Sequence, residues 1–517
     1  MKLRPAQKAK RLGWSFALVA FGAAWIIIAA RHRIGAPYWL DEGISIQASH
    51  MGWREIVTAQ RIPAGSTMTA FHLLLLPYTR LFGETPIAVH SLSILATIVG
   101  VALLGLYGSR LGGRRVGVIA VLLFASNPVQ ILEAANARSY AFQPAILCLI
   151  AFACVWAAHC KHSLRFVRYG AWAVVGGLVG FSLWWSPVLA LAAVAMMGPL
   201  MLCALSSRVT NRVGNRLQVP SRSAMLVFSG AALTVSLPQL LLLRRSWMSS
   251  FRWQPKITPS LAARMFGHVV TASPLAAAFW LLGIVGAVQC ARICLTKLSW
   301  ETASERAMLA WIALSWLVGF PLLLVVTDQL YPLGVERYAQ PVLGPLVLFA
   351  SYAMDGFLAK FPNPIGQARK ATRRMVPVLM SSFIGIGIAF GPRAAPYPDW
   401  RPTFAFAQDR FGPDDAVAFV PSYIRMGWDA TIVAGMSGIA RGTPVLPPVP
   451  WGQFGPYWNI TVPPTGKQVA AYKRLWVIRS IDTIATPVIG MELFGSTRLH
   501  AFIVEDWRHP SLPDSNG

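Results

Sequence analysis

The residues able to do chemistry are few. The stretch APYWLDEGISI (36–46) sets two carboxylates side by side, Asp41 and Glu42, directly after Tyr38 and Trp39. Such a pair suits proton abstraction. Asp41 is the candidate general base, because aromatic neighbours near a bilayer would partly desolvate it and raise its proton affinity toward a useful range. Glu42 shares that role, orients an acceptor or binds a cation. Two arginines offer the opposite charge, Arg138 in NARSYAF and Arg337 in ERYAQP. A guanidinium fork matches phosphate oxygens, and at a helix start the backbone N–H groups and helix dipole already favour an anion. The plainer alternative is an arginine snorkelling to the membrane interface. Tyr140 and Tyr338 follow the two arginines and either supply hydrogen bonds or pack.

The elements that must position these residues are membrane helices. Of the 517 residues, 55% are hydrophobic and 13% charged, against roughly 25% charged in soluble domains. Apolar runs long enough to cross a bilayer recur at about 14–30, 86–108, 116–132, 138–158, 169–185, 188–205, 224–243, 274–291, 308–326, 340–354 and 375–391. The expected architecture is an all-α polytopic bundle of about eleven transmembrane helices, residues 1–391, followed by a small α/β domain, 392–517. The first run follows the basic tail MKLRPAQKAKR and has no clean small-residue cleavage site after it, so it reads as a retained anchor.

The formal net charge of +26 resembles that of a nucleic-acid binder, but its distribution argues otherwise. With the N-terminus in the cytoplasm, inner segments such as CKHSLRFVR and DGFLAKFPNPIGQARKATRR exceed the outer loops in Lys and Arg at every comparison except the long 244–270 loop. That is the positive-inside pattern, and no nucleic-acid partner is expected. The six cysteines lie in spans or at their inner ends, so no disulfide framework is expected outside.

This topology places Asp41, Glu42, Glu55, Glu84, Glu133, Asp328 and Glu336 on the outer side, with Arg138, Arg337 and His72. Ionisable groups at membrane depth are functional candidates by default. The first outer loop, about 31–85, holds HMGWREIVTAQ and AFHLLLLPYTRLFG, two segments with helical apolar spacing that suit interfacial or packing helices. Asn127-Pro128 stops the third span. The loop RRSWMSSFRWQPK (244–256) mixes cations with aromatics and either helps capture an anion or meets lipid headgroups. The tail segments FGPDDAVAFVPSY, GTPVLPPVPWGQFGPYWN and RLWVIRS read as short strands and turns. Trp400, Trp428, Trp451, Trp458 and Tyr457 in this tail either stack on sugar rings or form its core, and the core is the favoured reading for most.

Together the residues resemble the polytopic C-type glycosyltransferases, the GT-C fold. The resemblance is greatest to the bacterial branch related to protein O-mannosyltransferases and lipid A aminoarabinose transferases. It rests on the acidic pair in WLDEGISIQASHMGW, the turn YGSRLGGRRVGVIAVLLFASNPVQIL, the Ala-Arg-x-Tyr-Ala element in NARSYAF, and RYAQP at 337–341. It covers roughly residues 10–350. Two departures stand out. The acid usual before Ala-Arg-x-Tyr is Asn136 here, with Glu133 three residues earlier. A His-Pro-Pro-Leu-Tyr-type element in the first loop is replaced by GSTMTAFHLLLL, leaving His72 as its remnant and a candidate substrate contact.

The resemblance implies transfer of a sugar, mannose first and then arabinose or aminoarabinose, from a polyprenyl-phosphate donor at the outer leaflet of a bacterial inner membrane. The acceptor would be a hydroxyl on a protein, glycolipid or polysaccharide, and the displacement would invert the anomeric carbon. Asp41 and Glu42 would be catalytic. Arg138, Tyr140, Arg337, Tyr338 and His72 would bind substrate. No cofactor is implied with certainty, and a divalent cation is left open. The rival class is a transporter or flippase for a lipid-linked glycan, which should carry ionisable groups near mid-membrane; these spans are nearly free of acids. A non-catalytic assembly protein is a third reading, suggested by Asn136.

Overall fold

The computed structural model describes residues 20–31, 33–58, 67–160, 165–205, 221–250, 254–269, 275–296, 300–360, 400–412, 414–420, 428–429, 445–446, 469–481, 487–499 and 502–510. The chain divides into two compact units. One is Met1–Ala30 with Leu92–Gly391, the other Arg31–Ser91 with Pro392–Gly517.

The helices in chain order are α1 (Ala20–Arg31), then α2 (Leu40–Ser49), α3 (Trp53–Thr58), α4 (Thr69–Phe82), α5 (Pro86–Gly112), α6 (Arg114–Ala125), α7 (Pro128–Ala134) and α8 (Gln143–His159). They continue with α9 (Arg165–Trp185), α10 (Pro187–Leu205), α11 (Arg222–Ser250), α12 (Pro259–His268), α13 (Leu275–Thr296), α14 (Trp300–Leu330), α15 (Leu343–Lys360) and α16 (Arg401–Arg410). Among the described residues, five helical stretches are long and apolar enough to cross a membrane. Three shorter apolar helices, within α1, α10 and α13, accompany them. This is a multi-pass membrane protein. The expected span at 375–391 and the N-terminal part of the first lie outside the described residues.

The third expected span, 116–132, is not one straight helix. α6 ends at Ala125 and α7 leaves at 66°. The cause is local: Pro128 at the first position of α7 lacks an N–H for α6, and the Asn127 side chain accepts from Gln130 N–H at 3.0 Å, capping a new helix.

Helix faces divide as a bilayer demands. α11 exposes Leu226 (74%), Leu233 and Leu241, which in water would be costly and in lipid is not. Its inner face meets α9 closely. A side chain at Gly176 or Gly180 of α9 would run into the carbonyl oxygens of Phe228 and Ala232, so small residues set this crossing. α5 and α6 form a tight hairpin because Gly113 takes φ 97°, a conformation other residues avoid.

In the second unit, Ile44, Ala48, Met51 and Ile56 of α2 and α3 and the chain between them form one apolar cluster with Leu73 and Leu76 of α4. The expected helices of the first loop are therefore present, and α2 adds one that the sequence reading did not foresee. The C-terminal segment forms a five-stranded mixed sheet of β1 (Asp415–Val420), β2 (Val445–Leu446), β3 (Arg474–Ser480), β4 (Glu492–Leu499) and β5 (Phe502–Arg508). Its order is β2-β1-β3-β5-β4. β1 is parallel to β2 and β3, while β5 is antiparallel to β3 and β4. Alternation along β1 and β3 sends Val417, Phe419, Trp476 and Ile478 to one face, and Ala416, Ala418, Leu475 and Val477 to the other.

Candidate active site

The acidic pair opens α2. Trp39 is the N-cap, in extended backbone. Glu42, three residues on, turns back so that Oε2 accepts the Trp39 N–H at 3.2 Å. Its other oxygen, Oε1, lies 2.8 Å from Nε2 of His90 on α5, whose Nδ1 lies 2.8 Å from the Ile34 carbonyl oxygen. Glu42 and His90 are 3% and 1% exposed, Asp41 9%. The pair therefore divides: Glu42 is anchored inward through both oxygens, while Asp41 precedes it in the same first turn, where the helix dipole favours a carboxylate.

Tyr38 is fully buried, edge-on to the His90 ring at 5.8 Å, and its hydroxyl donates to the Glu84 carbonyl oxygen at 2.7 Å. Burial pushes its phenol well above the ordinary range, and the charges of Glu42 and Glu84 push the same way. Glu84 pairs with His50 at 3.0 Å. His72 is buried on α4, beside the Phe71 ring, in the helix that packs against α2.

The arginines belong to the other unit and come together there. Arg138 caps a short 3-10 turn, Ser139–Phe142, ahead of α8. Arg337 lies in a second 3-10 turn, Glu336–Val342, ahead of α15. Both expected helix starts are thus displaced: the α-helices proper begin at Gln143 and Leu343. The Arg337 guanidinium sits over the Tyr140 ring, 5.7 Å from its centroid. Tyr338 accepts from the Gln254 amide at 3.1 Å. Burial raises the Tyr338 phenol above its ordinary range and Tyr140 adds to this, while Arg337 and Arg138 act the other way. The two arginines and two tyrosines therefore form one electrostatic group.

Polar bonds hold both turns. The Asn136 carbonyl oxygen accepts from Ser93 Oγ at 2.6 Å and from the Arg138 N–H at 2.8 Å. The Asn136 amide donates to Glu133 Oε2 at 3.0 Å, so Glu133 and the amide found where an acid was expected are bonded to each other. In the segment leading to the Arg337 turn, Asp328 is fully buried and accepts two backbone N–H groups, from Ile257 at 2.8 Å and Leu333 at 2.6 Å. Gly334 N–H donates to Pro255 oxygen at 2.9 Å, and a side chain at Gly334 would run into that oxygen.

The sequence reading missed the parts played by His90, Ser93, Gln254 and Asp328. One signal was present: polar His90, Ser93 and Thr97 recur at helical spacing within the apolar run 86–108. In the C-terminal segment, Trp400 and Trp428 are 1% exposed and stack in an aromatic core with Phe404, Phe419 and Phe502, so these two pack rather than face a sugar. Trp451, Tyr457, Trp458 and residues 251–253 of the 244–256 loop lie outside the described residues. Among the described residues, no group of three His, Cys, Asp or Glu is arranged to hold a metal ion.

No protein-family model and no curated protein sequence matches the chain. Solved structures do. ArnT from Cupriavidus metallidurans bound to undecaprenyl phosphate is similar over 96% of this chain and 98% of its own, with TM-score 0.54 and 12% identity. Its apo state gives TM-score 0.55 and 13% identity. The archaeal oligosaccharyltransferase AglB from Archaeoglobus fulgidus, in complex with an inhibitory peptide and a dolichol-phosphate, is similar over 91% of this chain and 70% of its own, with TM-score 0.50 and 13% identity. The chain shares the fold of these proteins, and that is the GT-C fold expected from its sequence.

Proposed function

We propose that the protein is a membrane glycosyltransferase that moves a sugar from a polyprenyl-phosphate donor to an acceptor hydroxyl. Arg138 and Arg337 hold the donor phosphate and stabilise its departure, with Tyr140, Tyr338 and His72 as further contacts. Asp41 takes the proton from the acceptor hydroxyl. The freed oxygen bonds to the anomeric carbon, the carbon–oxygen bond to phosphate breaks, and the polyprenyl phosphate leaves with the electron pair. One direct displacement inverts the anomeric configuration. Preorganised positive charge of this kind contributes about 3–4 kcal/mol to a transition state. The site faces the outside of a bacterial inner membrane, with the N-terminus cytoplasmic and residues 392–517 outside. Mannose is the first candidate sugar, then arabinose and aminoarabinose; the acceptor is a protein, glycolipid or polysaccharide.

One observation carries this reading. Two arginines from turns far apart in sequence converge on a pair of tyrosines, in a chain that shares its fold nearly end to end with a protein solved on undecaprenyl phosphate. The test is transfer by purified protein in nanodiscs from radiolabelled polyprenyl-phosphate mannose, arabinose or aminoarabinose to cell-envelope acceptors. Label should move to an acceptor with one donor and not with Arg337→Ala. No transfer with any of the three overturns the reading.

A further inference from the structure

His90 lies in an apolar helix, and its surroundings determine how many protons it holds. A carbonyl oxygen only accepts, so Nδ1, at 2.8 Å from the Ile34 oxygen, carries a hydrogen. Nε2 faces Glu42 Oε1 at 2.8 Å. Two bare lone pairs at that distance repel, so a second proton lies between them. Imidazolium with carboxylate and imidazole with carboxylic acid are the two ways of writing this, and both carry zero net charge. Releasing that proton would leave an uncompensated charge on groups 1% and 3% exposed, which costs far more than in water.

We infer that His90 is a positioning residue that keeps a proton on the Glu42–His90 pair, so that Asp41 is the net negative charge at the head of α2. His90 cancels the charge of the residue next to the proposed base. It also fixes Glu42 so that Oε2 caps α2 at Trp39. The other titratable or charged groups of this unit on the elements packed about the pair include Asp41 on α2, Tyr38 and Arg33 in the segment before α2, His72 on α4, which packs against α2, and Glu84 with its partner His50. With His90 replaced by a neutral residue, Glu42 and Asp41 become two adjacent carboxylates without a compensating cation, so the second of them to ionise holds its proton to higher pH.

The base role of Asp41 belongs to the proposed function, so the test has one arm that needs no activity. Full-length protein labelled with ¹⁵N at histidine is studied in nanodiscs by solid-state NMR, with His90 identified by its loss in His90→Gln and its shift in Glu42→Gln. His90 should keep a protonated Nδ1 and a hydrogen-bonded Nε2 from pH 6 to 9, a range in which free imidazole loses its proton. A His90 that loses a proton within that range, or an unprotonated Nδ1, overturns the inference even if His90→Gln fails to fold, since wild type and Glu42→Gln suffice.

The second arm is the pH profile of sugar transfer. His90→Gln should move its acid limb up by about one pH unit, and His90→Gln with Glu42→Gln should bring it back. An unmoved limb removes the positioning role. Absence of transfer by wild type counts against the proposed function, and the NMR arm still decides the shared proton.

Discussion

The acidic and cationic groups are built differently. Glu42, Trp39, Ile34 and His90 come from residues 34–90, a short stretch whose bonds are a helix cap and one contact to α5. The arginine group draws on residues 138–140, 254 and 328–338, which only the packing of several helices brings together. The acids are set by a local cap and one buried neighbour. The cations are set by turns held through backbone hydrogen bonds to Asp328, Ser93 and Asn136. Disturbing the first should therefore alter charge and proton transfer through one buried pair, while disturbing the second should loosen turns that several helices hold.

Asp41→Asn tests the acidic side most directly. Transfer should fall by about 10²–10⁴-fold, the usual contribution of a positioned base. Full activity in this variant would move the base to another carboxylate. On the cationic side, Arg337→Ala should lower transfer about 10²–10³-fold, and Arg337→Lys should recover only part of it, because a point charge lacks the fork.

Asp328→Ala sharpens the contrast. It leaves two backbone N–H groups without their acceptor, so detergent-solubilised protein should lose about 1–3 kcal/mol of stability together with activity. A stable variant with intact transfer would show that the latch does not hold Arg337. Tyr338→Phe should reduce transfer tenfold or less, the value of one hydrogen bond.

The smallest effect concerns alkaline pH. Burial raises the Tyr338 and Tyr38 phenols, so the folded state keeps protons that the unfolded chain releases near pH 10. The stability these phenols contribute is complete below about pH 10 and declines above it. A thermal-shift series from pH 8 to 11 should show that decline, and Tyr338→Phe should make it shallower.

Much of this was legible in the sequence. Long apolar runs can satisfy their backbone in lipid only as helices, so α5, α8, α9, α11 and α14 follow from composition alone. Asn127-Pro128 marked a helix end, since proline cannot donate to the preceding turn. Short continuous apolar runs in DAVAFV and RLWVIRS announced β1 and β3, strands buried on both faces. The scarcity of charge drew attention to Asp41, Glu42, Arg138 and Arg337, because an ionisable group near lipid is expensive.

Tertiary structure decided the rest. Whether His90 was a core histidine or a partner for Glu42 depended on α5 facing the head of α2, a contact spanning 48 residues. The same holds for Arg337 over Tyr140, for Asp328 bonded to the Ile257 and Leu333 N–H groups, and for the tryptophans that went to the core. Local sequence sets backbone preference and polarity, because those depend on each residue's own atoms and nearest neighbours. Which buried polar groups meet depends on the rotation and crossing of helices far apart in the chain, which close packing of the whole bundle sets.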